Sequence, residues 1–179
     1  MDINLLVKIT SRAWSLNILE LLHNGIAGRQ ATLLAATKAG RTAFTQSLNH
    51  LIGLGLLERN PGHGHPLRPE YRLTAEGIRA AAIANSIKKA VPQPSEQILL
   101  RRAWTVPVLA VSHQPRYFSD FKNELVSITD RALSHSLNQL HTQNWLQRNI
   151  DVEARPPRPR YQATNTGALI SEAVTLNLR

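Results

Sequence analysis

Ser136-Leu137-Asn138-Gln139-Leu140, running on to Trp145-Leu146-Gln147-Arg148-Asn149, decides the fold, because the chain has already written it once. Ser47-Leu48-Asn49-His50-Leu51, 89 residues earlier, runs on to Leu56-Leu57-Glu58-Arg59-Asn60. The offset holds, to within one residue, on both sides of this element. Upstream, Arg12-Ala13-Trp14 returns as Arg102-Ala103-Trp104; downstream, Pro66, Arg68, Pro69, Tyr71, Thr74 and Gly77 return as Pro156, Arg158, Pro159, Tyr161, Thr164 and Gly167. Three blocks in one order at one spacing mean one domain written twice. Each copy is roughly 80 to 90 residues, enough for a small core.

Charge limits the partners. Lys+Arg number 21 against 12 Asp+Glu, a formal +9, which makes a polyanion the default partner. Both halves are basic: residues 1–90 carry 11 basic and 5 acidic side chains, and residues 91–179 carry 10 and 7. The absence of cysteine removes disulfides, thiolate metal sites and thiol redox sensing together. No apolar run reaches the roughly 20 residues of a membrane helix, and Met1-Asp2-Ile3-Asn4-Leu5 lacks the start of a signal peptide. The expectation is a soluble, cytoplasmic, nucleoid-associated protein with no membrane contact.

Apolar spacing predicts helices over residues 2–9 and 14–23, then a shorter one over 30–37 and a longer one from Arg41 to about Leu54. The last two, joined by a turn containing Gly40, make a helix-turn-helix candidate. Phe44, Leu48 and Leu51 share one face of the longer helix, which leaves Arg41, Thr42, Thr45, Gln46 and Asn49 on the other. Those side chains suit base edges: Arg pairs with guanine, Gln or Asn with adenine. The alternative for the five is an ordinary solvated face, and it is the repeat, the charge and the following hairpin that favour DNA. Leu56 to Arg59 and Tyr71 to Leu73 read as strands around the turn-rich Asn60–Pro66, a wing in which Arg68 can reach a phosphate. His63 and His65 form an H-x-H pair, but a metal site needs about four ligands, so a loop tip is the preferred reading. Thr74 should cap a helix to about Lys89, whose alanines permit close packing. Residues 90–95, Ala-Val-Pro-Gln-Pro-Ser, place a boundary between domains 1–90 and 91–179.

The second copy repeats the order. Ser95 is expected to cap a short helix, Pro107 to lie in the first turn of a helix from about Thr105, and Ser119 to cap a helix to about Val126. Thr129 caps a long helix to about Asn144, with Asp130 at its positive end. Leu133, Leu137 and Leu140 face inward; Arg131, Ser134, His135, Asn138 and Gln139 lie outward or flanking. Asp130 is expected to repel phosphates and weaken this copy's hold on DNA. The second wing carries Arg155, Arg158 and Arg160 braced by Pro156, Pro157 and Pro159, a stiff basic finger. A last helix is expected over about 165–177.

Trp104 … Tyr117-Phe118-Ser119-Asp120-Phe121 … Ile128-Thr129-Asp130-Arg131-Ala132-Leu133-Ser134 … Leu137 … Leu140 … Leu146 … Arg148, then Pro159-Arg160-Tyr161 … Thr164 … Gly167, resembles the HxlR family of bacterial winged helix-turn-helix transcription regulators. In the first copy Trp14, Leu48, Leu51, Leu57, Arg59, Tyr71, Thr74 and Gly77 match, but Gly28-Arg29-Gln30-Ala31 replaces the aromatic-Ser-acidic entry. The resemblance implies a DNA-binding regulator with the long helix in the major groove. It also implies that the matching Trp, Leu and Tyr positions are core, with the outward helix residues as DNA contacts. Family members usually carry one such domain and form homodimers through their terminal helices. Two copies in one chain imply a mainly α fold with small β-hairpins, two tandem winged helix-turn-helix domains forming a pseudo-dimer whose site can be asymmetric. Some family members sense reactive compounds through a cysteine, which this chain lacks.

The leading expectation is a transcription regulator that binds double-stranded DNA, without cofactor or metal. Pairing of two chains through terminal helices, including helix 2–9, stays open, as does an effector in a groove between those helices. The alternative is a tandem winged-helix assembly protein of the chromosome-organising or replication-initiation type, whose wings contact protein. An enzyme is disfavoured, because no nucleophile-base spacing or phosphate-cradling glycine loop is present.

Overall fold

The computed structural model of the protein describes residues 2–63 and 68–175. The first copy runs α1 (Ile3–Thr10), α2 (Ser15–His23), α3 (Gln30–Thr37), α4 (Arg41–Gly53), β1 (Leu57–His63), β2 (Arg68–Leu73) and α5 (Ala75–Ala90). A 3-10 turn (Glu96–Arg101) opens the second, followed by α6 (Thr105–Ala110), β3 (Arg116–Tyr117), α7 (Phe118–Glu124), α8 (Asp130–Thr142), β4 (Leu146–Asp151), β5 (Arg158–Ala163) and α9 (Thr166–Thr175). The fold is mainly helical with small antiparallel hairpins, as the apolar spacing and the family resemblance imply. The predicted end of the last helix, at residue 177, lies outside the described residues.

The repeated sequence blocks are repeated backbone devices. Each long helix ends in a Schellman-type closure, in which Leu56 N–H donates to Leu51 O (3.0 Å) and Trp145 N–H to Leu140 O (2.9 Å). The left-handed residue this closure needs is Gly55 in copy one (φ 71°) and Asn144 in copy two (φ 60°). The chain then returns to the same spot through the hairpin: Thr74 N–H donates to Leu56 O and Thr164 N–H to Trp145 O, at 3.1 and 3.0 Å. Gly77 and Gly167 sit where the following helix crosses that carbonyl, and a Cβ on either would lie about 2 Å from the oxygen, at 1.9 and 2.0 Å. Thr74 caps α5 as expected, its Oγ1 accepting from Gly77 N–H (3.0 Å) and donating to Gly55 O (2.6 Å). In copy two Asn165 Nδ2 donates to Asn144 O (3.0 Å), joining the same two turns.

Helix starts in copy two follow the sequence in part. Thr129 Oγ1 accepts from Ala132 N–H at the head of α8, and Pro107 lies in the first turn of α6. Ser119 is not the cap of α7: the helix begins at Phe118, and Asp120 reaches back to accept from Tyr117 N–H (2.8 Å). Ser95 caps nothing, since its backbone is already helical and the segment it opens is a 3-10 turn. In the first wing the strand continues through Pro61, which the turn-rich reading had excluded. The ladder is irregular between Asn60 and His63, where a proline costs no cross-strand bond. In the second, Arg116–Tyr117 adds a third strand, giving the order β3-β5-β4. Copy one keeps only an isolated bridge there, Arg29 to Glu70.

One apolar core runs through both copies, from Leu6 and Ile9 to Ile170 and Val174. The copies meet reciprocally. Helix α5 packs on its repeat-mate α9, and α1 of the first copy packs on α6 of the second. The opening turn of the second copy packs back on the first, with the Arg101 guanidinium 4.0 Å above the Trp14 ring. Thr10 Oγ1 donates to Ala103 O (2.8 Å) across the same joint. Such an exchange, in which each half offers its partner the surface it receives, is the pattern of an isologous dimer held in one chain. Leu6 and Ile9, which sequence alone leaves free to join two chains, are 1% exposed and belong to this core.

Candidate nucleic-acid interface

Helix α4 divides as its periodicity predicts. Phe44, Leu48 and Leu51 are buried, while Arg41, Thr42, Gln46 and Asn49 are exposed and Thr45 is half-buried. Ser47 is also buried, because its hydroxyl donates to Ala43 O (2.9 Å) and accepts from Trp14 N–H (3.3 Å), tying α4 to the start of α2. Arg41 stands at an open cleft it shares with Gln30, Ala31 and Leu34 of α3. Helix α8 divides in the same way: Leu133, Leu137 and Leu140 are buried, and Arg131, Ser134, His135 and Asn138 are exposed. Asp130 does not stand as a bare negative charge at the head of α8. Lys122 Nζ lies 2.9 Å from its Oδ1 and also donates to Ile128 O (2.6 Å), so the expected repulsion is offset by a cation from α7.

The two wings differ. Side-chain surroundings of Arg68 and His63, and all of His65, lie outside the described residues, so neither the phosphate contact nor the H-x-H pair is placed. Among the described residues no group of three His, Asp or Glu side chains could hold a metal ion. In the second wing the three arginines are not equivalent. Arg155 is exposed at the tip. Arg158 is exposed but stacks on the Tyr117 ring at 4.3 Å. Arg160 is 5.6 Å from the same ring and forms an ion pair with Asp151 at 3.2 Å, so it is a brace and not a free finger.

Tyr117 and Asp151 complete this latch: the resemblance implies a core position for Tyr117, but it is half-buried and holds the wing, and Asp151 is a residue the sequence reading leaves without a role. The Tyr117 hydroxyl donates to Asp151, and Glu153 N–H donates to the other carboxylate oxygen (3.1 Å). The hydrogen bond from Tyr117, with help from Glu153 N–H and Arg160, holds the Asp151 carboxyl below the usual carboxylate range, against the opposing effect of desolvation. The same bond pushes the Tyr117 phenol up. The aromatic of the Tyr-Phe-Ser-Asp run was the available signal. Its partners lie 34 residues or more downstream, beyond any local pattern.

A helix-turn-helix followed by an antiparallel hairpin and a closing helix, written twice, with a polar face exposed on each long helix, defines a tandem winged-helix protein of the DNA-binding class. The profile of the HxlR-like helix-turn-helix family matches the chain twice, over residues 9–99 and again over 99–177. The protein belongs to that family of DNA-binding transcription regulators, as a tandem duplication. No curated protein matches it. No helix among the described residues is long and apolar enough to cross a membrane.

Proposed function

We propose that the protein is a sequence-specific transcription regulator in which α4 and α8 are two unlike reading helices for one duplex. The observation that carries this is the division of both helices, each burying three large apolar residues and exposing a polar face. In copy one Arg41, Gln46 and Asn49 read bases, with Thr42 and Thr45 beside them; in copy two Arg131, Asn138, Ser134 and His135 do so. Arg68, Arg155 and Arg158 bind phosphates, and Arg160 positions the wing. The joint between 1–90 and 91–179 sets half-sites about 34 Å apart, one helical turn. Because the two faces differ in residues, the operator is asymmetric. The protein acts in the cytoplasm, at the nucleoid.

Selection of bound genomic fragments by the intact protein tests the reading. The expected result is a motif of two unlike halves one turn apart, retained over random DNA at about 150 mM salt, where non-specific contacts weaken steeply. Arg41→Ala or Gln46→Ala should weaken the selected site by about 1–3 kcal/mol and relax preference in one half alone. A palindromic motif, or none, would overturn the proposal. Any pairing of two chains through terminal helices would use Ile78 of α5 and Leu169 of α9, which remain exposed; light scattering of the wild type and Leu169→Lys decides whether it occurs.

A further inference from the structure

Where the two copies join, a cavity of about 390 Å³ opens between α2, α3, α5 and the turn that starts the second copy. Its polar lining includes Asn17, Glu20, Lys38, Lys88, Gln97 and Arg101, three cations against one carboxylate. Lys88 is the centre of the arrangement. Its Nζ donates to Asn17 Oδ1 (2.9 Å) and to Gln97 Oε1 (2.5 Å), one partner from each side of the joint, and both are neutral amides. An ammonium has three N–H donors, so one remains beyond these two. Burial, together with Arg101, pushes the Lys88 ammonium down from its ordinary range despite the opposing influence of Glu20. Arg101 stacks over Trp14 at 4.0 Å and lines the same cavity.

A half-buried ammonium held by uncharged oxygens, with a guanidinium and a second lysine on the same walls, leaves positive charge uncompensated in a concave site. The volume lies within the roughly 300–1,000 Å³ typical of small-molecule sites. We infer that this cavity is a binding site for a small organic or inorganic oxyanion, carboxylate or phosphate, held by Lys88 and Arg101 with Lys38 at its edge and Glu20 limiting its affinity. Lys38 ends α3 in the left-handed conformation (φ 56°), in the turn that leads to α4. An anion here would touch the helix-turn-helix of copy one and the opening turn of copy two together, which is where a ligand could alter how the copies are set relative to each other.

The inference is independent of how the protein engages DNA, and its primary test is made without DNA. The full chain is titrated calorimetrically at pH 7 with citrate and, separately, inorganic phosphate, ionic strength being matched with chloride. At least one probe should saturate at one ion per chain, and the two arms separate carboxylate from phosphate preference. Lys88→Gln should weaken that binding about tenfold or more, the loss of one charge-assisted hydrogen bond. Glu20→Gln should tighten it, a change of sign that a folding defect cannot imitate. No binding above the chloride control, unchanged affinity in Lys88→Gln, or weaker affinity in Glu20→Gln would each overturn the inference. So would a fall of about one in the duplex salt slope of Lys88→Gln, which would make the lysine a contact to DNA phosphate.

Discussion

Gly77 and Gly167 are held by a carbonyl and not by a turn. Their Cβ positions fall 1.9 and 2.0 Å from Leu56 O and Trp145 O, the same carbonyls that receive the Thr74 and Thr164 N–H groups. Gly167→Ala should therefore cost about 1–3 kcal/mol in urea denaturation, because overpacking against backbone exceeds the helix-propensity gain. Gly55 has open space around it, so its constraint is φ alone. Gly55→Ala should lose about 1–2 kcal/mol, while Gly55→Asn should lose much less, since Asn144 already occupies the matching position with φ 60°. Comparable losses for the two Gly55 variants would refute this. At the second wing the sign of the pH dependence follows from Asp151. Its carboxyl is held below its unfolded value, so the latch contributes fully above the ordinary carboxylate pKa of about 3.9 and is lost as pH falls through the lower folded value. Tyr117→Phe should thus be less stable than wild type at pH 7, with the gap closing in acid. An undiminished gap at about pH 2, well below the ordinary carboxylate pKa, would show that Asp151 is not the acceptor that matters.

At the scale of elements, the copies have kept one set of helix closures and diverged in how the wing is held. Copy two adds β3 and ties it to the wing through Tyr117, Arg158, Arg160 and Asp151. Copy one has an Arg29–Glu70 ion pair at 3.3 Å in the same place, and Arg29 is largely exposed, so solvent screening leaves that pair with little strength. Salt dependence of duplex binding should separate the arginines. Arg155→Ala should lower the slope by about one, as expected for one phosphate contact. Arg158→Ala should do the same, weakening all duplexes alike. Arg160→Gln should change it far less, because Asp151 already offsets that charge, and should instead loosen the hairpin, read as faster hydrogen exchange of β5 amides. Equal slope changes for Arg155 and Arg160 would contradict the brace assigned to the latter. The sequence made the division of α4 and α8 legible, since a period of 3.6 is local. It could not rank the three wing arginines, because their partners come from β3 and from the far strand.

The whole molecule is one core with two copies in it. The α5–α9 contact, the α1–α6 contact and the Arg101–Trp14 stack all join the copies, and Leu6 and Ile9 are buried in the common core. Urea unfolding should accordingly be a single transition, with tryptophan fluorescence (Trp14 in copy one, Trp104 and Trp145 in copy two) and far-ultraviolet dichroism coinciding. Two separated transitions would mean that each copy holds its own stability. Apart from β3 and the 3-10 turn that opens copy two, the order of elements, the duplication, the faces of the long helices and the caps at Thr74 and Thr129 were settled by sequence alone. Each depends on residues within a turn or two of one another, or on the repeat itself. What only the tertiary structure decided is how the copies meet, that Asp130 and Arg160 carry offset charges, and that Lys88 sits half-buried at a shared cavity. Those outcomes depend on side chains that packing brings together from different elements, where burial and charge compensation are properties of the packed whole and leave no periodic trace in the chain.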